Sequence, residues 1–316
     1  MHCIRLAAMR IRAPLAALLA VAALLAAPAA VAASAAQKVF DTPQQAAGEL
    51  AAATKSHDSA AMLAILGANA ATLVFSGDAV ADRAAEDRFA QAYEESHRIE
   101  MQGDAKATLA VGKDDWPFPF PLVKSQGGWR FNAREGREEV LTRRIGRNEL
   151  SVMQVLQAYV DAQQEYYLRN PDQGKLLAYA QKVGSTKGKR DGLYYPVNAG
   201  EPPSPLGTLF ASAQAEGYRL GSGPEGKPVP YHGYIYRILK AQGPAAKDGA
   251  YDYVVHGKMI GGFALVAYPA AYANSGVMTF IVNHDGVAYQ KDLGPSTSAV
   301  ASKMTRFDPV AGWKPL

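Results

Sequence analysis

Cysteine is all but missing. Cys3 is the only one in 316 residues, which excludes an internal disulfide, a cysteine-based zinc cluster and a redox pair. Histidine is sparse as well. Past residue 36 it occurs only at His57, His97, His232, His256 and His284. No two of these are four apart and there is no His-Glu-x-x-His, so a helical zinc site has no support, and only three separated histidines meeting in space remain open. No Gly-x-Ser-x-Gly elbow and no phosphate-cradling glycine loop is present, and Gly221-Ser222-Gly223 runs into Pro224 and reads as a loop. Past residue 40 no apolar run is long enough to cross a membrane.

The chain does have the composition of a folded protein. Hydrophobic residues make up 48% and charged residues 20%, enough to bury a sizeable core. Residues 1–36 read as a secretory signal peptide. Arg5, Arg10 and Arg12 precede a short alanine-rich apolar stretch, and Ala30-Val31-Ala32 and Ala33-Ser34-Ala35 offer small residues for cleavage. The expectation is export by the general secretory route to the periplasm or the exterior. Cleavage removes three arginines and no acid, taking the net charge from +4 to +1, so nothing electrostatic argues for nucleic acid or an acidic membrane face. No membrane span is expected after cleavage, and no cofactor is implied.

Two α+β domains are expected, over 38–147 and 148–316. In the first, Thr42 caps a helix opened by Pro43, Asp58 caps a second that stops at Gly67, and 81–96 forms a third. The pattern then turns extended. Ala105, Ala107, Leu109 and Val111 alternate with polar or small residues, Ser125-Gln126-Gly127-Gly128 is a hairpin turn, and 135–144 closes with a helix. Trp116-Pro117-Phe118-Pro119-Phe120-Pro121 places proline at every second position. In an extended strand the three missing donors fall on one edge, while the aromatics share one face. That face is either the lip of a binding site or a cover for the core.

In the second domain Asn148 caps a long helix over 149–168 with a broad apolar stripe, and a shorter helix is expected around Leu176 to Ala180. An irregular loop spans 184–231, with a short helix at 209–216. A β-meander follows: 234–239, an apolar central strand at 263–268, and a hairpin of 276–282 with 287–291 turning on Asp285-Gly286.

The order of helices and a GGWRF-type hairpin in the first half resembles a nuclear-transport-factor-2-like cone. The helix NELSVMQVLQAYVDAQQEYY followed by YHGYIYRIL, GGFALVAYP and GVMTFIVNHDGVAY resembles the globular part of type IV pilins and pseudopilins, although Arg143, Arg144 and Arg147 stand where those carry a hydrophobic half-helix. KDDWPFPFPLVK, GGWRFN, RRIGRNEL, GKRDGLYYP and GGFALVAYPAAYANSGVMTFIVNHDGV together resemble the bacterial secreted family called domain of unknown function 2950. That resemblance implies an envelope or extracellular location and no activity.

Several side chains are candidates for ligand contact. His97, Asp114 and Arg143 would have to border a pocket to matter. Trp116 belongs to the aromatic face. Asp114 beside Asp115 is either a cation ligand or a solvated turn. Arg143, Arg144 and Arg147 with Lys113 and Lys124 form either an anion site or a charged face paired with local glutamates. Tyr194 and Tyr195 lead a tyrosine cluster that either stacks on sugars or fills a loop–strand interface. His284 beside Asp285 is either an acid–base pair or turn chemistry. No catalytic constellation emerges. The leading expectation is therefore an exported, non-catalytic protein interacting with an unknown envelope protein or polymer. An envelope hydrolase or small-ligand binder with a pocket in the first domain is the alternative, and a pilus accessory is a third.

Overall fold

Local capping chemistry sets the first helices. Thr42 Oγ1 accepts from the Gln45 amide at 3.1 Å, and Pro43 supplies the fixed φ of a first helical residue. The helix so started, α1 (Pro43–Lys55), buries Ala46, Leu50 and Ala53. Asp58 accepts from the Ala61 amide at 2.9 Å to start α2 (Ser59–Leu66), which Gly67 ends at φ 90°. A single turn, α3 (Ala71–Val74), precedes α4 (Ala79–Glu95), capped by Asp78. The computed structural model describes residues 36–219 and 228–316. The expected signal peptide, apart from its last residue, and the Gly221–Pro224 loop lie outside the described residues.

An antiparallel sheet follows. Its strands are β1 (His97–Gln102), β2 (Lys106–Val111), β3 (Trp116–Pro117), β4 (Leu122–Ser125) and β5 (Gly128–Phe131), in the order β1-β2-β4-β5 with β3 paired to β2. Of the proline-spaced segment only its start is strand, β3, which among the described residues pairs with β2 alone. The Phe118 amide still donates to Leu109 O at 2.7 Å, and the chain then bends at Pro119-Phe120.

The closing helix expected over 135–144 and the spine expected over 149–168 are one element, α5 (Ala133–Arg169), 37 residues long. The boundary expected at 147/148 falls inside it. Asn148 does not cap. Its side chain is buried and donates to Ser275 O at 2.8 Å, a tertiary bond that frees its backbone to stay helical. The N-terminal part of α5 packs on the first hydrophobic cluster, with Phe40, Leu50, Leu122 and Phe131, and the part from Val152 onward enters a second cluster with Tyr234, Phe263 and Phe280. Ala35–Leu316 is one compact unit containing both.

The short helix expected at Leu176–Ala180 does not form. The backbone there is claimed by other partners. Gln163 exchanges two hydrogen bonds with Ala180, each 2.8 Å, and the Tyr179 amide donates to Met259 O at 2.8 Å. An extended run is thereby held against α5. The short helix in the loop is α6 (Gly207–Ala215).

The second half is built on strands β6 (Tyr234–Leu239), β7 (Ala241–Gln242), β8 (Tyr251–Asp252), β9 (Val254–Val255), β10 (Lys258–Met259), β11 (Ala264–Pro269), β12 (Met278–Asn283) and β13 (Ala288–Asp292), then α7 (Thr297–Ala301), β14 (Arg306–Phe307) and β15 (Lys314–Pro315). The main sheet runs β15-β13-β12-β11-β6, all antiparallel, with β11 buried along its whole length. The β12–β13 turn has Gly286 at φ 77°, as the Asp-Gly pair requires. The fold is α+β, with helices and a sheet first and a long helix with strands after.

Candidate functional site

The residues that gather around a hollow come from helix faces and from the aromatic segment. On α4, Ala81, Ala85, Phe89 and Ala92 recur at helical spacing with Arg88 beside them; on α5, Val140, Arg143, Arg144 and Arg147 do the same. These two faces, with Leu50, Met62, Leu66 and Leu73 beneath and Trp116, Phe118 and Phe120 alongside, border a half-open cavity of about 860 Å³. That is within the range of about 300–1,000 Å³ usual for small-molecule sites. Tyr218, His232 and Glu216 close one side from the second half of the chain.

The charged groups on this lining are mostly occupied. Arg144 donates to Thr72 O at 2.9 Å, Leu73 O at 2.5 Å and Asn274 Oδ1 at 2.6 Å. Burial, with a contribution from Arg147, pulls its pKa below the usual value, and the Asp82 carboxylate partly opposes this. Asp82 accepts from the Ser76 amide at 2.9 Å, and burial nonetheless raises its pKa. Arg143 pairs with Glu139 at 2.7 Å and lies 5.5 Å over the Trp116 ring. Glu86 Oε2 is 2.7 Å from His57 Nδ1, and Glu216 Oε2 is 3.4 Å from His232 Nε2. Two cations are left over. Arg88 and Arg147 have no carboxylate within ion-pair distance among the described residues.

Two of the candidates from the sequence, Trp116 and Arg143, line this cavity together. His97 and Asp114 do not. His97 stacks on Tyr93 with ring centres 3.8 Å apart and its Nδ1 lies 2.9 Å from Tyr93 O; Asp114 is exposed in the turn before β3. Tyr194 stacks on Phe210 at 4.0 Å, and Tyr195 is buried under Arg190, whose guanidinium lies 5.1 Å from the ring centre. Both belong to the packing of the loop against the second half.

His284 and Asp285 are adjacent but engaged elsewhere. His284 Nε2 is 3.5 Å from Tyr251 Oη, with Nδ1 buried and unpartnered among the described residues, whereas Asp285 accepts from Asn283 Nδ2 at 3.1 Å. Arg144 and Arg147 reach the cavity as a cluster with Arg143, but Lys113 and Lys124 do not; Lys124 lies over Trp129 instead. Arg88 and Asp82 were not singled out from the sequence. The signal was the helical spacing of Phe89 and Tyr93, whose buried face Arg88 adjoins.

A protein-family model described as "Protein of unknown function (DUF2950)" matches residues 37–316. No curated protein and no solved structure matches the chain, so the nuclear-transport-factor-2-like and pilin-like likenesses gain no support from known structures.

Proposed function

The chain belongs to the DUF2950 family, whose description carries no activity, and we propose from its cavity that it is an exported, non-catalytic binder of a small molecule with an apolar body. One observation carries this reading: the cavity of about 860 Å³ floored by Leu50, Met62, Leu66 and Leu73 and walled by Trp116, Phe118 and Phe120. Such a floor rewards removal of apolar surface from water at about 25 cal/mol per Å². The aromatic lip supplies flat surface beside a cation. Export rests on the amino-terminal arginines, the alanine-rich stretch and the small residues after it. The interaction role at the envelope then consists of holding or delivering this molecule there.

The test is calorimetric titration of the mature chain with 1-decanol. Saturable one-to-one binding is expected, weakened at least tenfold by Val140→Phe, which places a ring in the cavity. Absence of saturable binding, or binding indifferent to Val140→Phe in a folded variant, contradicts the reading.

A further inference from the structure

Arg88 and Arg147 face the same cavity from different helices, and neither meets a carboxylate within ion-pair distance among the described residues. Of the neighbouring acids, Glu139 pairs with Arg143, Glu86 and the exposed Asp87 with His57, and Glu216 with His232, while Asp82 accepts from the Ser76 amide. Both residues stay largely exposed at the cavity's rim. Like charges held close repel, and partial desolvation makes the Arg88 guanidinium less well hydrated. Both effects are felt at Arg88, whose pKa is lowered first by burial and then by Arg147, with Asp87 partly opposing them. Arginine forks also suit planar or tetrahedral oxyanions, which they bind through paired N–H donors.

From these observations we infer that Arg88 and Arg147 hold the anionic head of an amphiphile, a carboxylate or phosphate on an apolar chain or ring, whose body occupies the cavity. The inference rests on the binding reading above and adds the ligand's class to it. An oxyanion between the two arginines satisfies donors that the protein leaves unanswered and relieves their mutual repulsion. Arg143 does not take this role, because Glu139 and Trp116 already engage it. Nor does Arg144, which three acceptors fix to the α3 segment and Asn274.

The experiment compares decanoate, 1-decanol and inorganic phosphate on the mature chain and on the double variant Arg88→Gln/Arg147→Gln, with circular dichroism confirming the fold. On the parent chain, decanoate is expected to bind about tenfold or more tightly than 1-decanol at low salt, with the advantage shrinking as salt rises. In the double variant the advantage of decanoate over 1-decanol should disappear, the two binding about equally. Equal binding of the two by the parent, or an advantage that survives in the double variant, overturns the anion site and leaves the apolar cavity standing. Phosphate binding as tightly as decanoate also overturns it, because the apolar body would then contribute nothing. If neither decanoate nor 1-decanol binds, the cavity reading fails and the inference fails with it.

Discussion

The Tyr218 hydroxyl donates to Asp78 Oδ2 at 2.9 Å across 140 residues of sequence. The same oxygen accepts from the Gly233 amide at 2.8 Å, while Oδ1 accepts from the Val80 and Ala81 amides at 3.2 and 3.1 Å. One buried carboxylate therefore caps α4 and fastens that cavity wall to the second half of the chain. Burial pushes the Tyr218 hydroxyl's pKa far up, and Asp78 adds to the effect, so the phenol remains a donor at all ordinary pH.

Removing this carboxylate orphans donors in a dry place. Asp78→Ala is expected to lower stability by about 3 kcal/mol, since hydrogen bonds to a charged acceptor contribute about 1.5–3 kcal/mol and stranded donors cost more. Urea denaturation checks it. The same variant should weaken 1-decanol binding, because α4 loses its anchor. A change below about 1 kcal/mol would contradict the role given to Asp78.

Two glycines of α5 should respond in opposite directions. A Cβ on Gly136 would stand 2.0 Å from Pro119 O, whereas one on Gly146 would meet nothing within 4 Å. Gly136→Ala must push the helix off the proline segment and is expected to cost about 1–3 kcal/mol or more. Gly146→Ala should stabilise by about 0.5–1 kcal/mol, the ordinary gain of alanine over glycine within a helix. Thermal melts of the two variants decide this.

Two carboxylates predict opposite acid responses. Asp191 accepts from Lys182 Nζ at 2.7 Å, from the Thr186 amide at 2.7 Å and from Thr186 Oγ1 at 2.9 Å. The Lys182 bond is the main cause of a pKa well below the usual carboxylate value. Its contribution is therefore present above the unfolded carboxylate pKa of about 4 and is lost as pH falls through the folded value. Asp82 runs the other way, because burial raises its folded pKa. Its charged form is disfavoured in the fold, so its contribution declines as pH rises from about 4 through the elevated value. Denaturation midpoints followed across pH 2–7 should show the gap between parent and Asp191→Asn closing in acid, and Asp82→Asn removing a decline on the alkaline side of pH 4.

Much of the fold was legible where local chemistry decides. Thr42, Asp58 and Gly67 marked helix ends because their side chains or backbones act on residues two to four positions away. Asp285-Gly286 marked its turn for the same reason, whereas the alternating prolines promised a longer strand than the two-residue β3, because the chain bends at Pro119-Phe120. Asn148 misled because its amide bonds Ser275, 127 residues distant, instead of the helix it precedes. The extended path of Tyr179 and Ala180 was hidden likewise, since Gln163 and Met259 hold it. At the candidate site, Trp116 and the trio Arg143, Arg144 and Arg147 were legible as an aromatic face and a cationic cluster. Arg88 and Asp82 were not, because they look like ordinary solvated positions until α4 is laid against α5.

The most direct test of a ligand in this cavity reads a single methyl group. Met62 is buried on the cavity floor, whereas Met259 is buried in the other cluster. In methionine-methyl NMR of the mature chain titrated with decanoate, the Met62 signal is expected to move saturably while that of Met259 stays in place. A Met62 signal that does not move, or moves no more than that of Met259, would contradict the account.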